Sequence, residues 1–261
     1  MSGTSLAFTL PRRVAITGGA SGIGFACARL FHDAGAGVGL IGRSHERLAI
    51  AAAELNEDGA VNGAVIATAA ADVSDEREVA SALTSVAGSL GGLDALVVCA
   101  GIEGEMGLAV EEVTSEGFRG VLETNVLGAF HAVKAALPFL REAESPAIVL
   151  IGSDSGFVAV PGMLAYNASK GAIVQFTRAL AVELYDTHGV RVNSVAPSIV
   201  DTPMARRGLG DAVMDSPDFP LQTGEDIAWS VAYLASRQAR AVNGQTLLSD
   251  FGYTGRSSFP A

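Results

Sequence analysis

Short β-branched runs alternate with longer Ala-rich segments along the chain. Val14-Ala15-Ile16-Thr17 has strand composition, and residues 38–41, 65–69, 93–98, 147–151, 191–195 and 246–248 repeat it. The run 93–98 is almost continuously apolar, as expected of a strand covered on both faces. Helical spacing occupies residues 22–34, closed by Gly35, and residues 44–55. Ser74 is placed to cap a further helix whose first turn carries Asp75 and Glu76, the favourable sign for its dipole. A long helical segment runs from Tyr166 to about His188. Strands alternating with helices predict βαβ units, right-handed crossovers and an α/β fold with a doubly wound parallel sheet flanked by helices. No linker, repeat or low-complexity segment interrupts the pattern, so residues 1–261 read as a single domain. Residues 202–223 are rich in Gly, Pro and Asp and lack a clean period, which predicts a flexible loop.

Charge and composition then narrow the class. Seventeen Lys and Arg face 28 Asp and Glu, a formal net charge of −11, and the pI is near 4.8. Phosphate binding needs clustered cations, which argues against nucleic acid and against a polybasic membrane site. Hydrophobic residues at 49% and charged residues at 17% exclude a disordered chain. Two cysteines, Cys27 and Cys99, build no disulfide framework, so a reducing cytoplasmic setting is the simplest expectation. The start MSGTSLAFTLPRR lacks a cationic segment followed by a long apolar run, so no signal peptide is expected. No run of ~18 apolar residues exists to span a membrane. Only two lysines occur, Lys134 and Lys170; every other cation is Arg.

Thr17-Gly18-Gly19-Ala20-Ser21-Gly22-Ile23-Gly24 joins the first strand to the first helix. Glycines there permit a tight turn and close backbone approach to a pyrophosphate, and the helix N-terminus offers free N–H groups. A plain strand-to-helix turn would look similar, but the position after the first strand favours dinucleotide binding.

Tyr166 and Lys170 are four residues apart, which puts both on one helix face. A phenol with a pKa near ~10 is a poor proton carrier at neutral pH, and a neighbouring ammonium stabilises its phenolate. The pair can then act as a general acid/base unit. The alternative is a surface Tyr–Lys pair. Ser153 ends the 147–151 strand, where carboxyl ends of parallel strands face a ligand crevice. It can donate to a substrate oxygen or merely cap a turn, and Ser155 is its rival.

Together these motifs resemble the short-chain dehydrogenase/reductase family. TGGASGIG at 17–24 matches its TGxxxGxG turn, and YNASK at 166–170 matches its YxxxK. Ser153 and Asn125 sit at the positions of its other tetrad members. Asp72-Val73, Asn193 to Pro197 with Thr202, and Asp250-Phe251-Gly252 fit further family motifs. The resemblance spans residues 11–255. It implies a Rossmann-type domain and an NAD(P)-dependent oxidoreductase that interconverts a carbonyl and an alcohol. In it Tyr166 would transfer the proton and Lys170 would lower the Tyr166 pKa and hold the nicotinamide ribose. Ser153 would polarise the carbonyl, and Asn125 would position Lys170 through a water. Implied cofactor contacts are Gly18, Ala20, Ser21, Gly22, Ile23 and Gly24 in the turn, then Arg43, Ser44, Asp72, Val73, Ala100 and Gly101. Asn125, Tyr166, Lys170, Pro197, Val200 and Thr202 complete that set. Three departures stand out: Val98-Cys99 replaces two amides that brace the family's turn, Ser198 replaces a glycine after Pro197, and Gly152 precedes Ser153.

The resemblance places substrate contacts in residues 103–107, 154–163 and 204–221, with Ser153, Asp154, Met163, Tyr166 and Met204 as candidates. Those stretches are mostly apolar, which suits a small apolar ketone or alcohol. Asp154 either lines the pocket or caps a turn, and Arg206-Arg207 either meets an acidic group or is a solvated face. A 3-oxoacyl carrier-protein reductase is a rival within the class; its acidic partner would need a basic patch that the overall charge opposes. A non-catalytic cofactor-binding regulator is a second class, disfavoured by the four tetrad residues. NADP(H) is expected over NAD(H). Gly42 stands where an NAD-selecting carboxylate would be, Arg43 suits a 2′-phosphate, and Ser44 adds a hydroxyl donor. A second cation is missing at Ser21. The resemblance implies a homotetramer or homodimer, paired through the helices that hold Asn125 and Tyr166. His32, His45, His131 and His188 share no metal spacing, so no metal is expected. Cys27 and Cys99 read as packing residues.

Overall fold

The computed structural model describes residues 8–57 and 63–256. The first seven residues, on which the N-terminal reading partly rests, and both ends of the 1–261 span lie outside the described residues. Strands β1 (Arg13–Thr17), β2 (Gly37–Gly42), β3 (Ile66–Ala70), β4 (Ala95–Val98), β5 (Ala147–Ile151), β6 (Arg191–Pro197) and β7 (Thr246–Ser249) form one sheet. Their order is β3-β2-β1-β4-β5-β6-β7, and every pairing is parallel. The order reverses between β1 and β4, the switch point at which doubly wound sheets open a crevice.

Helices cover both faces. Helix α1 (Gly22–Asp33), α2 (His45–Glu57) and α9 (Gly224–Ala235) pack on one. Helix α3 (Glu76–Leu90), α5 (Gly128–Leu140) and α6 (Leu164–His188) pack on the other. The strand period of two divides the side chains: Val14 and Ile16 join the first core with Phe31 and Leu40, while Ala15 joins the second with Leu83 and Leu140. Both faces are dry, which explains the near-continuous apolar strands; each fully buried large aliphatic contributes about 1.5–3 kcal/mol. Where α9 ends, the buried Arg191 guanidinium donates to the carbonyls of Leu234 (2.8 Å), Ser236 (3.1 Å) and Ala239 (3.1 Å). A cation thereby closes the orphan carbonyls of that helix end.

Local details depart from the pattern. Helix α3 is capped by Asp75, which accepts from the amides of Arg77 and Glu78; Ser74 instead donates to Asp72 at 2.7 Å. The Asp75 carboxylate already sits at the cap position, so the Ser74 hydroxyl is left to the preceding turn. Helix α6 begins two residues earlier than Tyr166, at Leu164. Residues 202–223 are not a plain loop: they hold α7 (Pro203–Leu209) and α8 (Asp211–Asp215). Both are too short to show a period, and their Gly and Asp residues are caps and ion-pair partners. Helix α4 (Ser115–Leu122) runs through a π-helical turn, Glu123–Leu127, into α5.

Candidate active site

The carboxyl ends of β1, β4 and β5 line one crevice. Gly18 has φ +68°, and a Cβ there would lie 2.9 Å from the Ala100 amide nitrogen. At Gly24 a Cβ would lie 2.3 Å from the Gly18 carbonyl oxygen. No side chain fits either position, so the turn stays thin and the α1 N-terminus stays open. Ser21 precedes α1 without capping it through its side chain, which leaves the first-turn amides for an anion. The residues present thus fit a dinucleotide.

The missing amides at Val98 and Cys99 are compensated. Thr17 Oγ1 accepts from the Cys99 amide at 3.1 Å and from the Ala100 amide at 3.2 Å, tying the β4 turn to β1. Nothing in the bare motif assigned Thr17 this work. Ser198, in place of a glycine, is pinned through its amide by the Ser249 carbonyl (2.9 Å) and Gln222 Oε1 (3.2 Å). Gln222 also pairs backbone to backbone with Val200. Thr202 donates to the Val200 carbonyl and caps α7 by accepting from Ala205. Sequence reasoning missed Gln222, because a lone Gln at the end of an irregular stretch carries no signal.

On the adenine side, Asp72 accepts from the Ser74 hydroxyl and amide. Burial pushes its carboxyl up, but those bonds and the charge of Arg43 outweigh it and hold Asp72 below its ordinary value. Val73 is buried, with its carbonyl 3.0 Å from His131 Nδ1. Arg43 is exposed at the end of β2. A Cβ on Gly42 would meet only Leu48 Cδ2, at 3.8 Å, so nothing but its identity keeps a carboxylate away.

Asn125 projects from the π-helical turn, a distortion that breaks the α period and re-aims one side chain. Its Oδ1 accepts from the Ile102 amide (2.8 Å), and its Nδ2 donates to the Ile102 carbonyl (2.9 Å) and Ser169 Oγ (3.0 Å). The amide therefore straps the β4 loop to α6. A Cβ on Gly101 would lie 3.2 Å from Asn125 Oδ1 and 4.0 Å from Lys170 Nζ, so Gly101 brings Asn125 and Lys170 around one point.

Tyr166 and Lys170 share the inner face of α6. The Lys170 Nζ lies 5.4 Å from the Tyr166 ring centroid and donates to the Ile151 carbonyl at 3.0 Å. Burial pulls the Lys170 pKa down to about 8. Burial pushes Tyr166 up to about 12, against a lowering hydrogen bond with Ser153, and the charges of Asp154 and Glu103 push the same way as burial. The lowering of Tyr166 by Lys170 expected from their spacing is therefore not a property of this site by itself: the ammonium sits over the ring and bonds elsewhere.

Ser153 is both a cap and a tetrad candidate. Its Oγ accepts from the Ser155 amide (3.1 Å) and donates to Asp154 Oδ1 (3.0 Å). Ser153 thus does the capping, and Asp154 holds its proton. Ser155 is buried and takes part through its backbone amide. Three stretches close the substrate side. Arg207 on α7 pairs with Glu103 at 3.1 Å, and Met106 packs over Gly208. The Gly107 amide donates to the Gly162 carbonyl at 2.9 Å. Arg206 is bidentate to Asp201 (2.7 and 2.9 Å) and also reaches Asp211 and Asp215. Both arginines are thus ion-paired, with Arg207 also exposed to solvent, so neither is free for an acidic ligand. Met163 precedes α6 and Met204 lies on α7, both half-buried.

Among the described residues no His, Cys, Asp and Glu group could hold a metal. His32 is buried with neither ring nitrogen partnered. Burial pushes the Cys99 thiol up to about 12 and Cys27 up as well, so both are inert packing groups. No described helix is long and apolar enough to cross a membrane.

Comparison with known proteins agrees with this geometry. The family profile described as enoyl-(acyl carrier protein) reductase matches residues 18–254. A 2-(S)-hydroxypropyl-CoM dehydrogenase of Xanthobacter autotrophicus is 38% identical over 253 residues, 92% of this chain and 96% of that protein. An actinorhodin polyketide ketoreductase solved with NADPH superposes with a TM-score of 0.82 at 31% identity, covering 94% of this chain and 98% of the other. A 3-oxoacyl-[acyl-carrier protein] reductase from Brucella melitensis with bound NAD gives 0.80 at 31% identity, covering 92% and 90%. The chain belongs to the short-chain dehydrogenase/reductase family and is an NAD(P)-dependent oxidoreductase acting on alcohol and carbonyl groups.

Proposed function

We propose that Tyr166, Lys170, Ser153 and Asn125 carry the reaction on a mostly apolar small ketone or secondary alcohol. The half-buried Tyr166 and the buried Lys170 beside Ser153, at the carboxyl end of β5, support this reading most directly. The nicotinamide cofactor, when bound, supplies or removes the hydride. A phenol near pKa 12 stays protonated at neutral pH and can give its proton to a developing alkoxide. Ser153 holds the substrate oxygen beside the phenol. Its proton, shared with Asp154, turns to the carbonyl as charge develops there. Lys170 keeps its place through the Ile151 carbonyl and offers further N–H donors to a ribose hydroxyl. Asn125 strapped to Ile102 and Ser169 supports a positioning role, acting through the loop that would carry the nicotinamide. Assaying a panel of ketones and alcohols with both nicotinamide cofactors tests the reading; no absorbance change with any pair refutes it.

NADP(H) is the preferred cofactor in this reading. Gly42 brings no carboxylate to repel a 2′-phosphate, and Arg43 stands next to it, near Asp72. The chain acts as one catalytic domain, consistent with one sheet holding all seven described strands. It assembles as a homotetramer. Leu127 and Phe130 at the start of α5, Val182 and Tyr185 on α6, and Leu247 and Leu248 on the edge strand β7 are exposed apolar groups that suit burial between subunits. Light scattering tests this, and a monomer at micromolar concentration contradicts it. The carrier-protein alternative is less favoured: Asp201, Asp211, Asp215 and Glu103 crowd the mouth, and its arginines are already paired.

A further inference from the structure

Asp154 sits half-buried beside the reacting centre, and no cation in the site answers its charge. One oxygen accepts the Ser153 hydroxyl proton at 3.0 Å, and among the described residues the carboxylate forms no ion pair. The neighbouring cations face other partners. Arg207 is held by Glu103, Arg206 by Asp201, Asp211 and Asp215, and Lys170 by the Ile151 carbonyl. A half-buried carboxylate with neither a paired cation nor full solvent attracts a positive group.

Resting on the assignment of Ser153 and Tyr166 to the reacting oxygen, we propose that Asp154 is a specificity residue that selects an alcohol or ketone bearing an ammonium group on the carbon next to the reacting one. Distance sets that spacing. The reacting oxygen bonds Ser153 Oγ at ~2.8 Å, and Asp154 Oδ1 lies 3.0 Å from the same atom. The carboxylate oxygen thus lies within about 6 Å of the reacting oxygen, a span that a donor on the adjacent carbon can bridge. A more distant group would meet Phe157, Val158 and Val160, which are apolar and exposed along the same stretch. An ammonium is favoured over a hydroxyl because its charge answers a carboxylate that has no ion-pair partner. Docking it has a second effect. The charge of Asp154 is one of the causes holding the Tyr166 proton tightly. Neutralising it eases formation of the phenolate that accepts the alcohol proton. Anionic substrates are rejected by the same field.

Three alcohols of nearly equal shape test this with the whole enzyme and its preferred cofactor at pH about 7, where an alkyl amine is protonated: 1-amino-2-propanol, 2-butanol and 1,2-propanediol. The expected kcat/KM for the amino alcohol exceeds that for 2-butanol by at least ~10-fold, the low end for a hydrogen bond to a charged group. In Asp154→Asn that ratio falls to near one, each enzyme being normalised to its own 2-butanol rate, and Asp154→Glu restores part of it. Calorimetric titration of 1-amino-2-propanol onto the cofactor-loaded enzyme reads the same selectivity without turnover. A ratio at or below one, a ratio unchanged in Asp154→Asn, or a diol as good as the amino alcohol overturns the proposal. Amine binding lost in Asp154→Asn but no turnover of any alcohol would refute the catalytic reading and keep this one. Turnover without amine selectivity does the reverse.

Discussion

The Lys170 ammonium lies 5.4 Å from the centre of the Tyr166 ring, yet its hydrogen bond goes to the Ile151 carbonyl at 3.0 Å. The pair is held ready rather than engaged. Lys170 costs stability in return: its folded pKa of about 8 lies below its ordinary 10.5. Between those values the unfolded chain binds the proton more tightly, so stability rises with pH across the window, and the full burial cost is present below about 8. Lys170→Met is expected to stabilise the cofactor-free protein at neutral pH by roughly 3 kcal/mol while abolishing turnover. Denaturant titration with an activity assay checks both halves, and a destabilised variant would contradict the burial argument.

Tyr166→Phe removes only the hydroxyl. Cofactor affinity should stay close to that of the parent, and turnover should fall at least ~100-fold, the low end for losing a general acid/base. Steady-state kinetics beside fluorescence titration of the cofactor separates the two. More than half the activity retained would rule out Tyr166 as the proton donor.

Arg43→Ala should weaken NADP(H) use by about 1.5–3 kcal/mol in kcat/KM, the range for a charged hydrogen bond, and leave NAD(H) nearly untouched. Gly42→Asp is the complementary change. Open space around its Cβ admits the side chain, and the new carboxylate should turn the preference toward NAD(H). Equal losses with both cofactors in Arg43→Ala would show that Arg43 stacks or is solvated.

Arg206 gathers Asp201, Asp211 and Asp215 around one guanidinium, which lifts its pKa. Without it three carboxylates repel each other across α7 and α8. Arg206→Ala should make residues 202–216 susceptible to limited proteolysis and raise KM more than it lowers kcat. Unchanged cleavage would mean that the Glu103–Arg207 tie and the Thr202 cap hold the segment alone.

Phe251 has φ +52°, a left-handed conformation that a Cβ disfavours. Asp250 enforces it by accepting from the Gly252 amide (2.9 Å) and the Thr254 amide (2.8 Å). Phe251→Gly should stabilise the chain by about 1 kcal/mol, seen as a higher melting temperature. A lower one would show that the exposed ring is packed in the assembled protein.

Much of this protein could be read along the chain. The parallel sheet flanked by helices follows from alternating elements and right-handed crossovers, because local periodicity and chirality leave few topologies; the strand order itself did not. The glycine turn and the Tyr166–Lys170 spacing are local too: a tight turn and one helical turn are set by neighbours in sequence. The cap at Asp75 and the helices at 203–215 were not legible, since two acceptors competed for one cap and short helices show no period. Only the tertiary structure decided the rest. Thr17 braces Cys99 and Ala100, Asn125 straps Ile102, and Arg207 reaches Glu103 across 104 residues of chain. The state of the phenol was decided there as well. Spacing put an ammonium beside Tyr166, but burial and the charges of Asp154 and Glu103, set by how three loops meet, push its pKa up. Local pattern determines which groups share a face; long-range packing determines the dielectric and the partners each one meets.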